Sequence, residues 1–224
     1  VLTFDASNRA RRVWKSAAWQ PGQTRLIAIG LDGSNLDTGI HNYTLQVTWH
    51  YRINDTSHQI TATASDKLVV VNRRASPFGA GWWLAGLEKL QILSDSSILW
   101  IGGDGSARLY TRSGVDTWGA PTLTRPDTLL RRSDGFYARI LPGGDTVVFN
   151  ASGLHIATVN RLGWRTTFTY DSSNRLTKIT LPTPSGTRVY EFTYDVAGKL
   201  DKVTAPAVTV AGAAWQRITD VTVV

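Results

Sequence analysis

The amino-acid sequence predicts an all-β protein: a small β-sandwich followed by an antiparallel meander. Three observations carry this. Residues 43–53 alternate strictly between apolar and polar. Turn-forming groups recur at about ten-residue intervals from residue 98 onward. Near the C-terminal end, a repeat brings Tyr170 into register with Tyr194. No convincing long helix is present.

The sandwich is expected over residues 1–72. In Tyr43–Ile53 (YTLQVTWHYRI) every odd position is apolar or aromatic and every even position polar, as in a strand with one buried and one wet face. Arg25–Ile29 (RLIAI) reads as an earlier strand, ended by Asp32-Gly33-Ser34-Asn35. Gln59–Ala64 and Lys67–Val71 read as two later ones. The stretch Asp32–Asp37 faintly resembles a calcium loop. It lacks an oxygen ligand at the fifth position and the closing Glu, so a plain turn is the better reading.

Residues 73–90 form a Gly- and Trp-rich joint containing SPFGAGWWLAGLEKL (76–90). Its glycines let the backbone turn tightly. Trp82, Trp83, Leu84 and Leu87 are expected to bury against the strands that follow. The rival reading makes Trp82 and Trp83 a sugar-stacking platform. Adjacent residues on a strand point to opposite faces, which argues against one shared platform.

Residues 91–224 read as the meander, with turns such as Gly102–Gly105, Ser133–Gly135, Pro142–Asp145, Asn150–Gly153, Asp171–Asn174 and Asp195–Gly198. Roughly residues 115–130, where Pro121 and Pro126 sit in a Thr-rich loop, look least structured. Tyr170-Asp171-Ser172-Ser173-Asn174-Arg175-Leu176 aligns with Tyr194-Asp195-Val196-Ala197-Gly198-Lys199-Leu200. Each unit is one hairpin. The aromatic ends a strand, the Asp starts the turn by accepting backbone N–H bonds, and Asn or Gly takes positive φ. Phe149–Gly153 is a degenerate earlier copy, and Tyr110–Gly114 a weaker one.

Composition narrows the function classes. With 42% hydrophobic and 18% charged residues the chain is globular, and it has no apolar run long enough to span a bilayer as a helix. It has no Cys, hence no disulfides or thiolate metal sites. The net charge of +7 is spread over short groups (Arg9, Arg11, Arg12; Arg73, Arg74; Arg131, Arg132), which suits a solvated surface better than a nucleic-acid interface. His41, His50, His58 and His155 show no metal-ligand spacing, and Asp171 and Asp195 are tied to turns. No catalytic, cofactor-binding or metal-ligating residue is expected, and the chain reads as a non-enzyme.

The paired Tyr-Asp units, together with Asn72–Leu87 around Pro77-Phe78-Gly79-Ala80-Gly81-Trp82, resemble the RHS/YD-repeat family. That resemblance implies a long β-sheet spiralling into a hollow shell, with the preceding sandwich as a plug at one end. It implies a structural part that encloses and delivers a polypeptide cargo such as a C-terminal toxin, secreted or at the cell surface. The partners implied are the rest of its own chain and the cargo. Related shells occur in insecticidal toxin complexes and in teneurins, so the alternative is a cell-surface adhesin that binds glycan or protein. The opening VLTFDAS and the ending ITDVTVV read as the limits of a fragment, with later residues expected to pair with the last strand.

Overall fold

The computed structural model describes residues 1–4, 8–15, 20, 22–30, 32–120 and 127–223. Among these there is no helix, and all sheets are antiparallel. The chain divides into two compact units, Val1–Asn72 and Arg73–Val224.

The first unit holds β1 (Leu2–Phe4), β2 (Asn8–Ala10), β3 (Gly39–Ile53) and β4 (Thr56–Val70) in one sheet of order β2-β1-β3-β4. β3 and β4 pair in unbroken register from Gly39↔Val70 to Ile53↔Thr56. They are joined by Asn54-Asp55, both at positive φ, the geometry of a two-residue hairpin turn. Two expectations change here. Gln59–Ala64 and Lys67–Val71 are one strand rather than two, because fifteen-residue β3 templates a partner of equal length straight through Asp66-Lys67. Arg25–Ile29 forms no strand, and Leu26 is fully exposed. Among the described residues of this unit, the four strands form one sheet. The alternation in β3 is real, yet Trp49, Tyr51 and Ile53 on its apolar side remain 48%, 40% and 54% exposed.

The second unit is built on one thirteen-stranded meander. Its first strands are β5 (Lys89–Ile92), β6 (Ile98–Ile101), β7 (Ala107–Arg112), β8 (Thr117–Gly119) and β9 (Thr128–Arg131). They continue into β10 (Tyr137–Ile140), β11 (Thr146–Phe149), β12 (His155–Val159), β13 (Arg165–Tyr170) and β14 (Leu176–Thr183). β15 (Gly186–Tyr194) and β16 (Leu200–Thr204) follow. A separate small hairpin, β17 (Val208–Val210) and β18 (Ala213–Trp215), precedes β19 (Ile218–Asp220), which closes the sheet against β16. β8 and most of β9 fall within residues 115–130, the stretch expected to be least structured, while Pro121 and Pro126 lie outside the described residues.

One turn geometry recurs eight times, starting at Leu93, Gly102, Arg132, Leu141, Asn150, Asn160, Asp171 and Asp195. In each, the first residue donates its N–H to the carbonyl of the fifth, and the fourth donates to the carbonyl of the first. The fourth position always has positive φ: Ser96, Gly105, Gly135, Gly144, Gly153, Gly163, Asn174 and Gly198. The hairpin of the paired Tyr-Asp units thus extends through most of the sheet.

The sheet rolls back on itself. Leu90 N–H donates to Gly153 O at 2.8 Å, and Lys89 bridges Leu154, so β5 meets the turn between β11 and β12. A Cβ on Gly153 would lie 2.1 Å from Leu90 O; only glycine permits this approach, at φ +80°. The roll encloses Leu90, Ile98, Trp100, Tyr110, Trp118, Leu129, Tyr137, Val147 and Phe149. These sit at alternate positions of neighbouring strands, so one sheet face supplies the core.

Candidate functional site

The sequence-derived joint is where chemistry concentrates. Residues 76–88 follow the repeat sheet without forming a strand. Gly79, Gly81 and Gly86 take φ of 112°, 82° and 79°. Leu200 N–H donates to Pro77 O at 2.7 Å, and Lys199 Nζ to Ser76 O at 2.9 Å. Leu87 packs with Leu176, Phe192 and Leu200, joined by half-buried Phe78, Trp83 and Leu84. Trp83 stands edge-on to Phe78, donates Nε1–H to Leu87 O at 2.8 Å, and carries Arg73 5.4 Å above its ring. At Gly103 a Cβ would fall 2.6 Å from Gly86 N, so the joint and the 102–106 turn touch backbone to backbone.

Trp82 departs from expectation. It is 73% exposed, while Trp83, Leu84 and Leu87 pack inward. The local reason is visible: Ser76 Oγ donates to Trp82 O at 2.6 Å, and Trp82 N–H donates to Gly79 O at 3.0 Å. That tight turn directs successive tryptophans apart, so the two rings do not form one platform.

The joint ends in a buried ionic cluster that sequence reasoning missed. Both carboxylate oxygens of Glu88 accept from Arg139 Nη1 at 2.8 Å. Glu88 Oε2 also accepts from Trp100 Nε1 at 2.6 Å. Arg139 Nε donates to Asp127 Oδ2 at 2.5 Å, and Arg108 Nη1 donates to Asp127 Oδ1 at 2.8 Å. The Arg139 guanidinium lies 4.2 Å from the centre of the Trp100 ring. Two carboxylates and two guanidiniums balance. Burial alone would raise the Asp127 carboxyl, but hydrogen bonds from Tyr110 and Arg139 and the charges of Arg139 and Arg108 outweigh it and hold it below the usual range. A carboxylate so held stays ionised near neutral pH and is poorly suited to deliver a proton. What the cluster does is tie Glu88, at the end of the joint, to β6, β7 and β10.

A sequence signal for the cluster did exist. Glu88 is two positions from Leu90, Arg108 from Tyr110, Asp127 from Leu129 and Arg139 from Tyr137, all core residues. Period two therefore places each charge on the inner face.

The four histidines lie apart in role. His41 Nε2 meets Asp37 O at 2.8 Å, His58 stacks on Tyr51, and His50 sits on the polar side of β3. His155 is buried between Phe149 and Phe168, with ring centroids 5.6 Å and 4.2 Å away. Its Nδ1 accepts the Glu88 N–H at 3.2 Å, which leaves Nε2–H to donate to Thr158 Oγ1 at 2.8 Å. Burial, with the nearby Arg139 charge assisting and a backbone hydrogen bond at Ala157 opposing, pushes its pKa down to about 4. Asp32 Oδ1 accepts Ser34 N–H at 2.9 Å, the geometry of an Asx turn.

The Tyr-Asp units show what their repeated residues hold. Asp171 Oδ1 accepts the N–H groups of Ser173 and Arg175, and Asp195 Oδ1 accepts that of Lys199. Tyr170 OH donates to His155 O and Tyr194 OH to Leu176 O, each at 2.7 Å. The register explains the pattern: Phe149, Tyr170 and Tyr194 pair with His155, Leu176 and Leu200, each just after a bulge. Every tyrosine therefore reaches back to the residue opposite the preceding unit's aromatic.

A family model described as RHS Repeat matches residues 149–185, from the end of β11 through the Tyr170 unit to the β14–β15 turn. This match supports an RHS/YD-repeat family protein. The matched segment includes the degenerate Phe149 copy, whose turn has the same hydrogen bonds as those of Tyr170 and Tyr194. An RHS repeat supports a structural, shell-type or cell-surface role. A search of curated proteins found no match.

Proposed function

We propose that this RHS-repeat chain is non-catalytic wall material of a β-shell that encloses a polypeptide cargo and serves outside the cell or at its surface. One observation carries the reading. The repeat sheet already holds a non-strand polypeptide, residues 76–88, along its face through backbone hydrogen bonds, apolar side chains and an ionic latch. A wall that binds irregular backbone through its own edges and apolar face can confine a chain without requiring it to fold. The tripled aromatic–bulge register supplies a unit that can be added repeatedly to lengthen such a wall.

The test is limited proteolysis of the complete natural protein. The enclosed segment is cut far more slowly than an exposed tag, and opening the sheet with Arg139→Met abolishes the protection. Equal cleavage of the segment in both forms refutes enclosure. Exposed Trp82 and Trp215 favour the adhesin as a second reading. Specific glycan binding that is lost in a still-folded Trp82→Ala protein would support that reading instead.

A further inference from the structure

The joint and the repeat sheet meet at one imidazole. His155 of β12 is 1% exposed and closed in by Phe149 of β11 and Phe168 of β13. Glu88 N–H donates to its Nδ1 at 3.2 Å, and Nε2 lies 2.8 Å from Thr158 Oγ1. Only the neutral ring protonated at Nε2 satisfies both contacts. A second proton has Nδ1 as its only place, where it sets one N–H against another.

The groups that face the ring do not answer such a charge. From the joint, both carboxylate oxygens of Glu88 are taken by Arg139, and Oε2 also by Trp100. From β10, Arg139 presents a like charge. From β13, Tyr170 donates its hydroxyl to His155 O, and burial raises that phenol, so it stays neutral. Lys89 of β5 is exposed and points away from buried Leu90. Burial of the ring outweighs the backbone hydrogen bond at Ala157 that favours the charged form.

The two sides of this contact differ in strength. β12 is paired through its backbone with both β11 and β13. Residues 86–88 belong to no strand, and Gly86 before them has φ +79° with open space where a Cβ would stand. Lifting Glu88 admits water to its carboxylate and to Arg139 together, so neither charge is left buried alone.

We propose that His155 is a proton-operated catch on the joint: one proton taken from solvent at Nδ1 releases Glu88 from β12 and lifts the end of the joint, hinged at Gly86, while the sheet stays paired. The catch does not depend on what the sheet encloses. The shut ring binds the proton weakly, with a pKa of about 4, and the open, hydrated ring binds it with the ordinary value near 6.5. The catch is therefore shut above about pH 6.5 and opens progressively as the pH falls toward 4.

The test is native-state hydrogen exchange of the whole chain, read by NMR as protection factors from pH 7.5 to 5 in low urea. The Glu88 and Leu90 amides should lose protection roughly thirtyfold over that range. At pH 5 their exchange should not respond to urea, whereas the ladder amides of β10 and β11 stay slower and speed up with urea. His155→Asn keeps an acceptor near the Nδ1 position but does not titrate, and should hold both amides equally at pH 7.5 and pH 5. His155→Leu lacks the acceptor and should loosen them to the same extent at both. Acid-dependent loss that persists in either variant places the trigger on a carboxylate and overturns the proposal. So does constant protection in the native chain, or a urea response matching that of the ladder, which would mean that acid acts through global unfolding alone.

Discussion

Replacing His155 by leucine should separate two effects that the fold combines at one position. His155 stands opposite Phe149, where the other two units place Leu176 and Leu200. Leucine therefore suits the position sterically. The imidazole has an unperturbed pKa near 6.5 and a folded value of about 4. Between those values the unfolded chain binds a proton that the folded chain does not. Stability is thus greatest above about pH 6.5 and falls as the pH drops toward 4, at up to about 1.4 kcal/mol per pH unit. The loss reaches about 3 kcal/mol by pH 4. His155→Leu removes this loss. It also leaves the Glu88 N–H without its acceptor, a cost of roughly 1–3 kcal/mol, partly offset by apolar burial against Phe149 and Phe168. The variant should be less stable at pH 7.5 and approach or overtake the native protein near pH 5. Urea midpoints of both proteins at constant ionic strength from pH 7.5 to 4.5 check this, and carboxylates common to both cancel. Parallel pH profiles would refute the claim that His155 is held neutral.

Three further outcomes follow from the same contacts. Arg139→Met leaves Glu88 and Asp127 buried without their shared cation and should cost about 3–5 kcal/mol in urea unfolding; a cost below about 1 kcal/mol would mean that Arg108 and Trp100 satisfy the cluster alone. Gly153→Ala sets a Cβ against Leu90 O and strains a positive-φ turn, so it should cost well over 1 kcal/mol and speed amide exchange at Leu90; unchanged exchange there would show that β5 does not depend on this approach. Trp82→Ala should shift stability by no more than about 0.5 kcal/mol, while Tyr194→Phe should cost roughly 0.5–1.5 kcal/mol by orphaning Leu176 O; the reverse ranking would overturn the placement of both rings.

What could be read from the sequence was what local chemistry decides. Alternation marked β3, and Asp, Asn and Gly marked most of the turns, because positive φ and Asx bonds leave a signature within five residues. The Asn160–Trp164 turn escaped notice for want of a cluster of small residues, although Asn160 Oδ1 accepts both Leu162 and Trp164 N–H groups. The ionic cluster was hidden for a different reason. Glu88, Arg108, Asp127 and Arg139 come from four separate segments, and only the rolling of the sheet brings them within 3 Å. Each carried the clue of standing two positions from a core residue. The direction of Trp82 depended on one side-chain bond from Ser76, which spacing alone does not reveal.

The two kinds of contact, tyrosine hydroxyls and the ionic latch, divide the work of holding the sheet together. Where a Tyr-Asp unit follows another, the seam is periodic. Tyr194 reaches back to Leu176 O, Arg175 lies 4.9 Å over the Tyr194 ring, and the next unit could repeat the step. Stability of that part is then close to a sum of nearest-neighbour terms, as in other repeat proteins. At the start of the sheet the period fails. Phe149 has no hydroxyl, and β5 approaches from the opposite end of the roll rather than from a preceding unit. There the seam is made by Leu90 on Gly153, by Glu88 on Arg139, and by the Glu88 N–H on His155. The departures from the repeat, histidine for leucine and phenylalanine for tyrosine, thus fall where the sheet must grip a non-repeating segment. A change in the periodic seam should cost one contact. A change at the Glu88 end should release the joint and the first strands together.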